Sequence, residues 1–340
     1  MQRYLINHQY DFHITGSAHS VGSECLTNEQ LIKRFGIQIK ESFIDKSVGI
    51  RTRYFLSNEE TTSDLAADAA RKALNKSGVS VNDLDRLIVA TSTPDHQTPS
   101  TACIVQHKLG GKGFPASDIS AACSGFLYGL DQALRCLATG DEKILLIGVD
   151  CRSRTLNMQD KRTVFLYGDG AGAIVLQRMD SKHEKKGFID CFVTADGEGH
   201  DAVFIPAGGA KQPCTIENVE AMQHKLTMPS GKRVAQNALE GFIYASKKLL
   251  QRNNLTLDDI DQFIFHQPNL RLLEIVMREL NIDETRAFIN FDKYGNTVAG
   301  SIPIALSEAI ECGRIKAGDN VMLCAVGGGF TAGAALYQHV

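Results

Sequence analysis

The sequence predicts an α/β protein made of two related halves, with helices covering both faces of the sheet strands. Three observations point there. Four apolar runs, "RLIVATS", "KILLIGVD", "QFIFHQ" and "NVMLCAVG", are continuous rather than alternating, the pattern of strands buried on both sides. Residues 66–93 and 238–269 each read as an amphipathic helix, a short acidic linker and an apolar strand. Finally, "NDLDRLIVA" aligns with "DDIDQFIFH" without a gap, and "TGDEKILLIGVD" pairs with "AGDNVMLCAVGG" at nearly the same separation along the chain. Helix, acidic turn and strand recur in many α/β proteins; the near-constant separation is what favours duplication over coincidence.

A length of 340 residues suits two domains or one large duplicated unit. With 43% hydrophobic and 22% charged residues and a formal net charge of -3, the composition is that of a soluble globular protein with no general attraction to nucleic acid or anionic membrane. The opening "MQRYLINHQYDFHITGSAHSVG" has no basic stretch followed by an apolar run, and no apolar segment reaches bilayer-spanning length, so a cytoplasmic protein is expected. Nine cysteines, an odd number without Cys-x-x-Cys pairs, fit reduced thiols rather than a disulfide framework. No His/Cys/Asp spacing suggests a metal site.

Ligands in open α/β sheets bind beyond the carboxyl ends of the strands, so the residues just after each apolar run carry the information. Cys123 follows "ASDISAA", His266 follows "QFIF", Asn296 follows "AFINFDKYG", and the turn Gly327-Gly328-Gly329 follows "NVMLCAV". A free thiol is only a few per cent thiolate at neutral pH. The helix expected to start near Cys123 offers its positive end, and His266 is the leading candidate to take the proton or stabilise the thiolate. Backbone N–H groups of Cys123 and of the glycine turn are placed to hold an oxyanion. The Asn296 amide donates but cannot act as an acid or base, and with His266 it suits an enolate oxygen. Taken singly, a cysteine at a helix start, a histidine ending a strand and a Gly-Asn-Thr turn are ordinary structural features; their shared placement is what points to chemistry.

These residues bring out a resemblance. Along almost its whole length the chain resembles β-ketoacyl-ACP synthase III enzymes, through "GIRTRYF" (49–55), "AACSGFLYGL" (121–130), "YGDGAGAIVL" (167–176), "HQPNLRLL" (266–273), "KYGNTVAGSIPIAL" (293–306), "GRIKAGD" (313–319) and "GGGFTAGAAL" (327–336). The resemblance implies a thiolase-like five-layer αβαβα fold from two duplicated halves, residues 1–180 with the nucleophile and 181–340 with His and Asn, and a homodimer. It implies a catalytic set of Cys123, His266 and Asn296, with Cys123 and Gly328 amides as the oxyanion hole. The implied substrates are an acyl-CoA, which acylates the cysteine, and malonyl-ACP or malonyl-CoA, which is decarboxylated and condensed to a β-ketoacyl thioester. No cofactor is implied; acyl carrier protein is the implied partner.

Several positions depart from the family pattern. Where the best-known members stack a tryptophan on the CoA adenine, this chain has Phe43, and it contains no tryptophan. Ser47 replaces a nearby arginine, and Lys161 beside Arg162 replaces another. Phe43, Lys161, Arg162 and Asn269 are the expected CoA and pantetheine contacts, with Phe43 retaining a ring that can stack. Val326 stands where many members have phenylalanine, and Thr98 stands at the end of the partner subunit's acyl tunnel, so both predict a roomier acyl site. Arg271 and Arg278, seven residues apart on one helix, with Lys232 and Arg233, form the expected carrier-docking patch, although Glu279 interrupts it and a merely solvated face would look the same.

Other functions fit less well. A specialised relative handling longer, branched or aromatic acyl groups for a secondary metabolite or signal would keep the same three catalytic residues. A papain-like cysteine hydrolase shares the order Cys, His, Asn but requires a local cysteine motif that is absent. A non-catalytic subunit is expected to lose one of the three residues, and a thiolase has a second cysteine beside its glycine turn. "GDGAG" (168–172) reads as a close-packed turn with Asp169 as a structural hydrogen-bonding residue, since a lone glycine-rich run is weak evidence for nucleotide binding.

Overall fold

The computed structural model describes residues 10–180 and 187–340. Its strands are β1 (Tyr10–Val21), β2 (Glu24–Thr27), β3 (Thr52–Phe55), β4 (Arg86–Ala90), β5 (Ala116–Ile119), β6 (Lys143–Cys151), β7 (Asp169–Asp180), β8 (Gly187–Ala195), β9 (Gln262–Phe265), β10 (Asn320–Gly327) and β11 (Thr331–Gln338). Apart from the antiparallel β2–β3 pair, they form one hydrogen-bonded sheet in the order β5-β4-β6-β7-β1-β8-β11-β10-β9. Read outward from the β1–β8 seam, the first-half strands appear in the chain order first, fifth, fourth, second, third. The second half repeats first, last, penultimate, second. The aligned sequence pairs fall on equivalent strands, β4 with β9 and β6 with β10, as the duplication predicted.

Side-chain alternation sorts these strands into layers. Leu87, Val89, Leu145 and Ile147 pack outward against helix Thr62–Ser77, together with its Leu65, Ala66 and Ala70. Ile88, Ile144 and Leu146 point inward with Ile264, Val321 and Leu323 from the other half. Both sets pack against Phe126 and Leu130 of helix Gly125–Thr139 and Ile302 and Leu306 of helix Ser301–Glu311. On the far side, Phe263, Phe265 and Met322 meet helices Gly231–Asn253 and Leu270–Leu280. The result is helix, sheet, helix, sheet, helix. The helix over β1 lies so close that a Cβ on Gly16 would stand 2.3 Å from the Ala73 carbonyl oxygen, which requires glycine there.

The parallel ladders place chemistry at one end. β4 runs parallel to β5 and β6, and β10 runs parallel to β9. Residues at or just after their carboxyl ends, Ser92, Cys123, Arg152, His266 and Gly327, line a common chamber.

Candidate active site

Cys123 sits in a single 3-10 turn, Ala122–Ser124, that joins β5 to helix Gly125–Thr139. Ala122 is held at φ 48, in the left-handed region. Val298 (φ 52) and Phe330 (φ 41) share that conformation, and all three line the chamber. A β-branched residue pays heavily there, and backbone strain of this kind gathers where a site over-determines it. Two hydrogen bonds hold the Val298 turn: Val298 N donates to Asn296 Oδ1 at 2.8 Å, and Ala299 N donates to Asp150 Oδ2 at 3.1 Å. With Oδ1 spent in this way, the Asn296 carboxamide presents its N–H₂, and its side chain supplies a hydrogen bond that favours the Cys123 thiolate.

The chamber has a volume of about 330 Å³, within the range of small-molecule pockets. Cys123, His266 and Asn296 all line it, so the sequence expectation that they converge is met geometrically. The glycine turn meets them there. A Cβ on Gly327 would stand 3.0 Å from the Cys123 nitrogen and 2.9 Å from the Ser124 nitrogen, so the backbone must pass bare at this point. Gly328 lines the same wall, next to Val326.

The electrostatics revise one expectation. Burial pushes the Cys123 thiol up to about 12, more than the neighbouring Arg152 cation, its own backbone N–H and Asn296 pull it down. Burial likewise takes His266 down to about 3. His266 Nδ1 is buried without a partner. The resting pair is therefore a neutral thiol and a neutral imidazole, not the helix-activated thiolate or imidazolium pair expected from the sequence, because desolvation outweighs the turn's donors. Iodoacetamide should accordingly label Cys123 slowly at neutral pH, with the rate still climbing past about pH 9.5, where an ordinary thiol of pKa ~8.5 has levelled off. Peptide mass spectrometry across pH checks this against the exposed Cys25, Cys103, Cys214 and Cys312; a plateau by pH 8 contradicts it.

The remaining expected contacts are dispersed. Phe43 is 59% exposed on helix Glu41–Ser47, a free ring face, but neither it nor Lys161 nor Arg162 lines the chamber. Arg162 is tied back to Asp160 through Nε at 2.8 Å and Nη2 at 2.7 Å. Asn269 caps helix Leu270–Leu280, its Oδ1 accepting from Arg271 N at 2.8 Å and Leu272 N at 3.3 Å, so only its N–H₂ is left for a ligand. Thr98 is exposed and outside this chamber. Arg271 donates to the Lys46 and Asp45 carbonyls and to Glu274, and Arg233 to Asp201 and the Glu198 carbonyl, so both are largely spent within the chain. Arg278 and Lys232 remain exposed. Asp169 is structural as expected, accepting from the Leu56 and Ser153 backbone N–H groups and the Ser153 hydroxyl.

Sequence reasoning missed Asp150, Arg152 and Ser92. Asp150 is fully buried and accepts from Ser92 N, Ser92 Oγ, Thr93 Oγ1 and Ala299 N at 2.8–3.1 Å. Its position at the end of the continuous apolar run of β6 was the available signal. Among the described residues no cluster of His, Cys, Asp and Glu is arranged to hold a metal, and no helix is long and apolar enough to cross a membrane.

With this geometry in place, comparison with known proteins is decisive. Models of the 3-oxoacyl-[acyl-carrier-protein] synthase III family match residues 117–197, and its C-terminal region matches 250–339. A β-ketoacyl-[acyl-carrier-protein] synthase III of Natranaerobius thermophilus is 42% identical, covering 96% of this chain and 98% of its own. The chain belongs to the β-ketoacyl-ACP synthase III family. That of Solibacter usitatus is 40% identical over 92% of this chain and 94% of its own. The crystal structure of the Aquifex aeolicus synthase III superposes with a TM-score of 0.86 at 33% identity, covering 96% of this chain and all of that one. The five-layer thiolase fold and the acyltransferase class follow from this membership, and the cysteine-hydrolase reading is set aside.

Proposed function

We propose that this synthase III family member primes acyl-chain assembly. The Cys123 sulfur attacks an acyl-CoA carbonyl, the carbon–sulfur bond to CoA breaks, and CoA leaves as the thiol with the cysteine's proton. A malonyl thioester then loses CO₂. The electron pair of the broken carbon–carbon bond becomes an enolate, whose oxygen accepts from the neutral His266 ring and the Asn296 N–H₂. The enolate carbon attacks the acyl-cysteine carbonyl, the oxyanion is held by the Cys123 and Gly328 amides, and the cysteine departs as the thiolate, which takes a proton from water to restore the thiol, leaving a β-ketoacyl thioester. The observation that carries this reading is the convergence of Cys123, His266 and Asn296 in one chamber, with the Asn296 carboxamide fixed by Val298.

Acyl carrier protein is the proposed extender carrier, docking on the exposed Arg278 and Lys232 rather than on Arg271 or Arg233. CoA is proposed to stack its adenine on Phe43, and a homodimer to bring Thr98 to the partner's acyl tunnel. Incubation with acetyl-CoA and either malonyl-ACP or malonyl-CoA tests the reaction. The expected result is one CO₂ and one β-ketoacyl thioester per CoA released, faster with the carrier protein. Release of free acid without carbon–carbon bond formation contradicts it.

A further inference from the structure

Arg152 lines the same chamber as Cys123, yet no step of the proposed reaction uses it. It is only 6% exposed. Its guanidinium has five N–H donors, and the protein engages few of them. Nη2 donates to Ser92 Oγ at 2.5 Å, Nη1 reaches Thr155 Oγ1 at 3.5 Å, and Nε is buried with no partner. Asp150 lies 3.8 Å from Nη2, a charge contact beyond hydrogen-bond reach, and its Oδ1 already accepts three donors from Ser92 and Thr93 and its Oδ2 one from Ala299. Elsewhere the chamber walls are apolar, with Val203, Ile205, Leu226 and Val326. A buried guanidinium with unspent donors in apolar surroundings is costly unless a ligand supplies acceptors.

We propose that Arg152 is a specificity-determining residue for the acyl donor, selecting a short acyl group whose far end carries a carboxylate. An ionised carboxylate offers acceptors that match the guanidinium fork, and Asp150, its oxygens engaged by four other donors, makes only a charge contact with the fork and does not take up its unspent N–H groups. Thr155 and Ser92 fix two corners, and the Nη1 and Nη2 hydrogens that they do not engage are left for the substrate. This rests on the proposed acylation of Cys123 and names the donor class for that same site.

The test compares pairs of CoA thioesters of equal shape before any malonyl thioester is added. Succinyl-CoA is set against 4-methylpentanoyl-CoA, and glutaryl-CoA against 5-methylhexanoyl-CoA, in which two methyl groups replace the two carboxylate oxygens. Rates of Cys123 acylation are read by peptide mass spectrometry. At least one carboxylated donor should acylate the wild-type enzyme about tenfold or more faster than its isostere. Arg152→Leu should bring that ratio below one, and Arg152→Lys should retain part of the preference. Wild-type rates that are equal, or that favour the branched isosteres, overturn the proposal while leaving Cys123 acylation intact. That comparison needs no variant, so it decides even if Arg152→Leu does not fold. If no CoA thioester labels Cys123, the underlying function fails with it.

Discussion

Asn296→Ala and His266→Ala are each expected to lower malonyl thioester decarboxylation by about 10²–10³-fold, the usual cost of removing one preorganised donor to a developing oxyanion. Burial holds the His266 pKa at about 3, so at neutral pH the ring is an uncharged N–H donor. Asn296 has no freedom to turn away, because Val298 N ties down its Oδ1. On the proposed mechanism both donors serve chiefly the enolate, whereas acyl transfer from CoA rests mainly on the backbone amides of Cys123 and Gly328. Decarboxylation should fall far more than acylation in both variants, as measured by CO₂ release and by the mass of the acyl-enzyme. The sign of the pH dependence follows. A depressed histidine pKa keeps the ring neutral on acidification, so wild-type decarboxylation should stay level down to about pH 5, where a histidine of ordinary pKa ~6.5 would already have charged. Wild-type decarboxylation in either variant, or a loss centred near pH 6.5, contradicts the assignment.

Asp150→Ala is expected to destabilise the fold by about 3–5 kcal/mol, the range for breaking a buried charge pair by removing one partner. The carboxylate is fully buried and joins three separate segments: Ser92 and Thr93 after β4, Arg152 after β6, and Ala299 in the strained turn beyond Asn296. Its loss strands four donors and leaves the Arg152 cation without its charge contact. Urea unfolding of the wild type and the variant measures the difference; a change below about 1 kcal/mol, the scale of an exposed pair, would show that the network carries little.

The parts of the site that lie just beyond apolar strand runs were legible in the sequence. His266 and the glycine turn stood out because β9 and β10 are buried strands that free their carboxyl ends, whereas the apolar run before Asn296 folds as the short helix Phe291–Tyr294 and the strand before Cys123 is only half-buried. Arg152 did not stand out, since "DCRSR" reads as a charged surface loop until Ser92 and Ala299 arrive from elsewhere to bury Asp150. The central strand β1, "YDFHITGSAHSV", lacks the apolar signature of the others, and at Gly16 helix Thr62–Ser77 packs so tightly on it that no Cβ fits. The resting charge state of the cysteine was equally hidden, because desolvation depends on how fully the chamber encloses it.

The central claim is that Cys123 carries the acyl group between the two half-reactions, and trapping that intermediate tests it most directly. Wild-type protein, Cys123→Ala and Cys123→Ser are each incubated with an acyl-CoA series that includes both plain and carboxylated chains, then digested and sequenced by mass spectrometry. The expected result is one acyl group per wild-type chain, on the peptide containing Cys123, discharged as a β-ketoacyl thioester when a malonyl thioester is added, and no turnover in Cys123→Ala. Full condensation by Cys123→Ala, or acylation confined to another cysteine, would contradict the account.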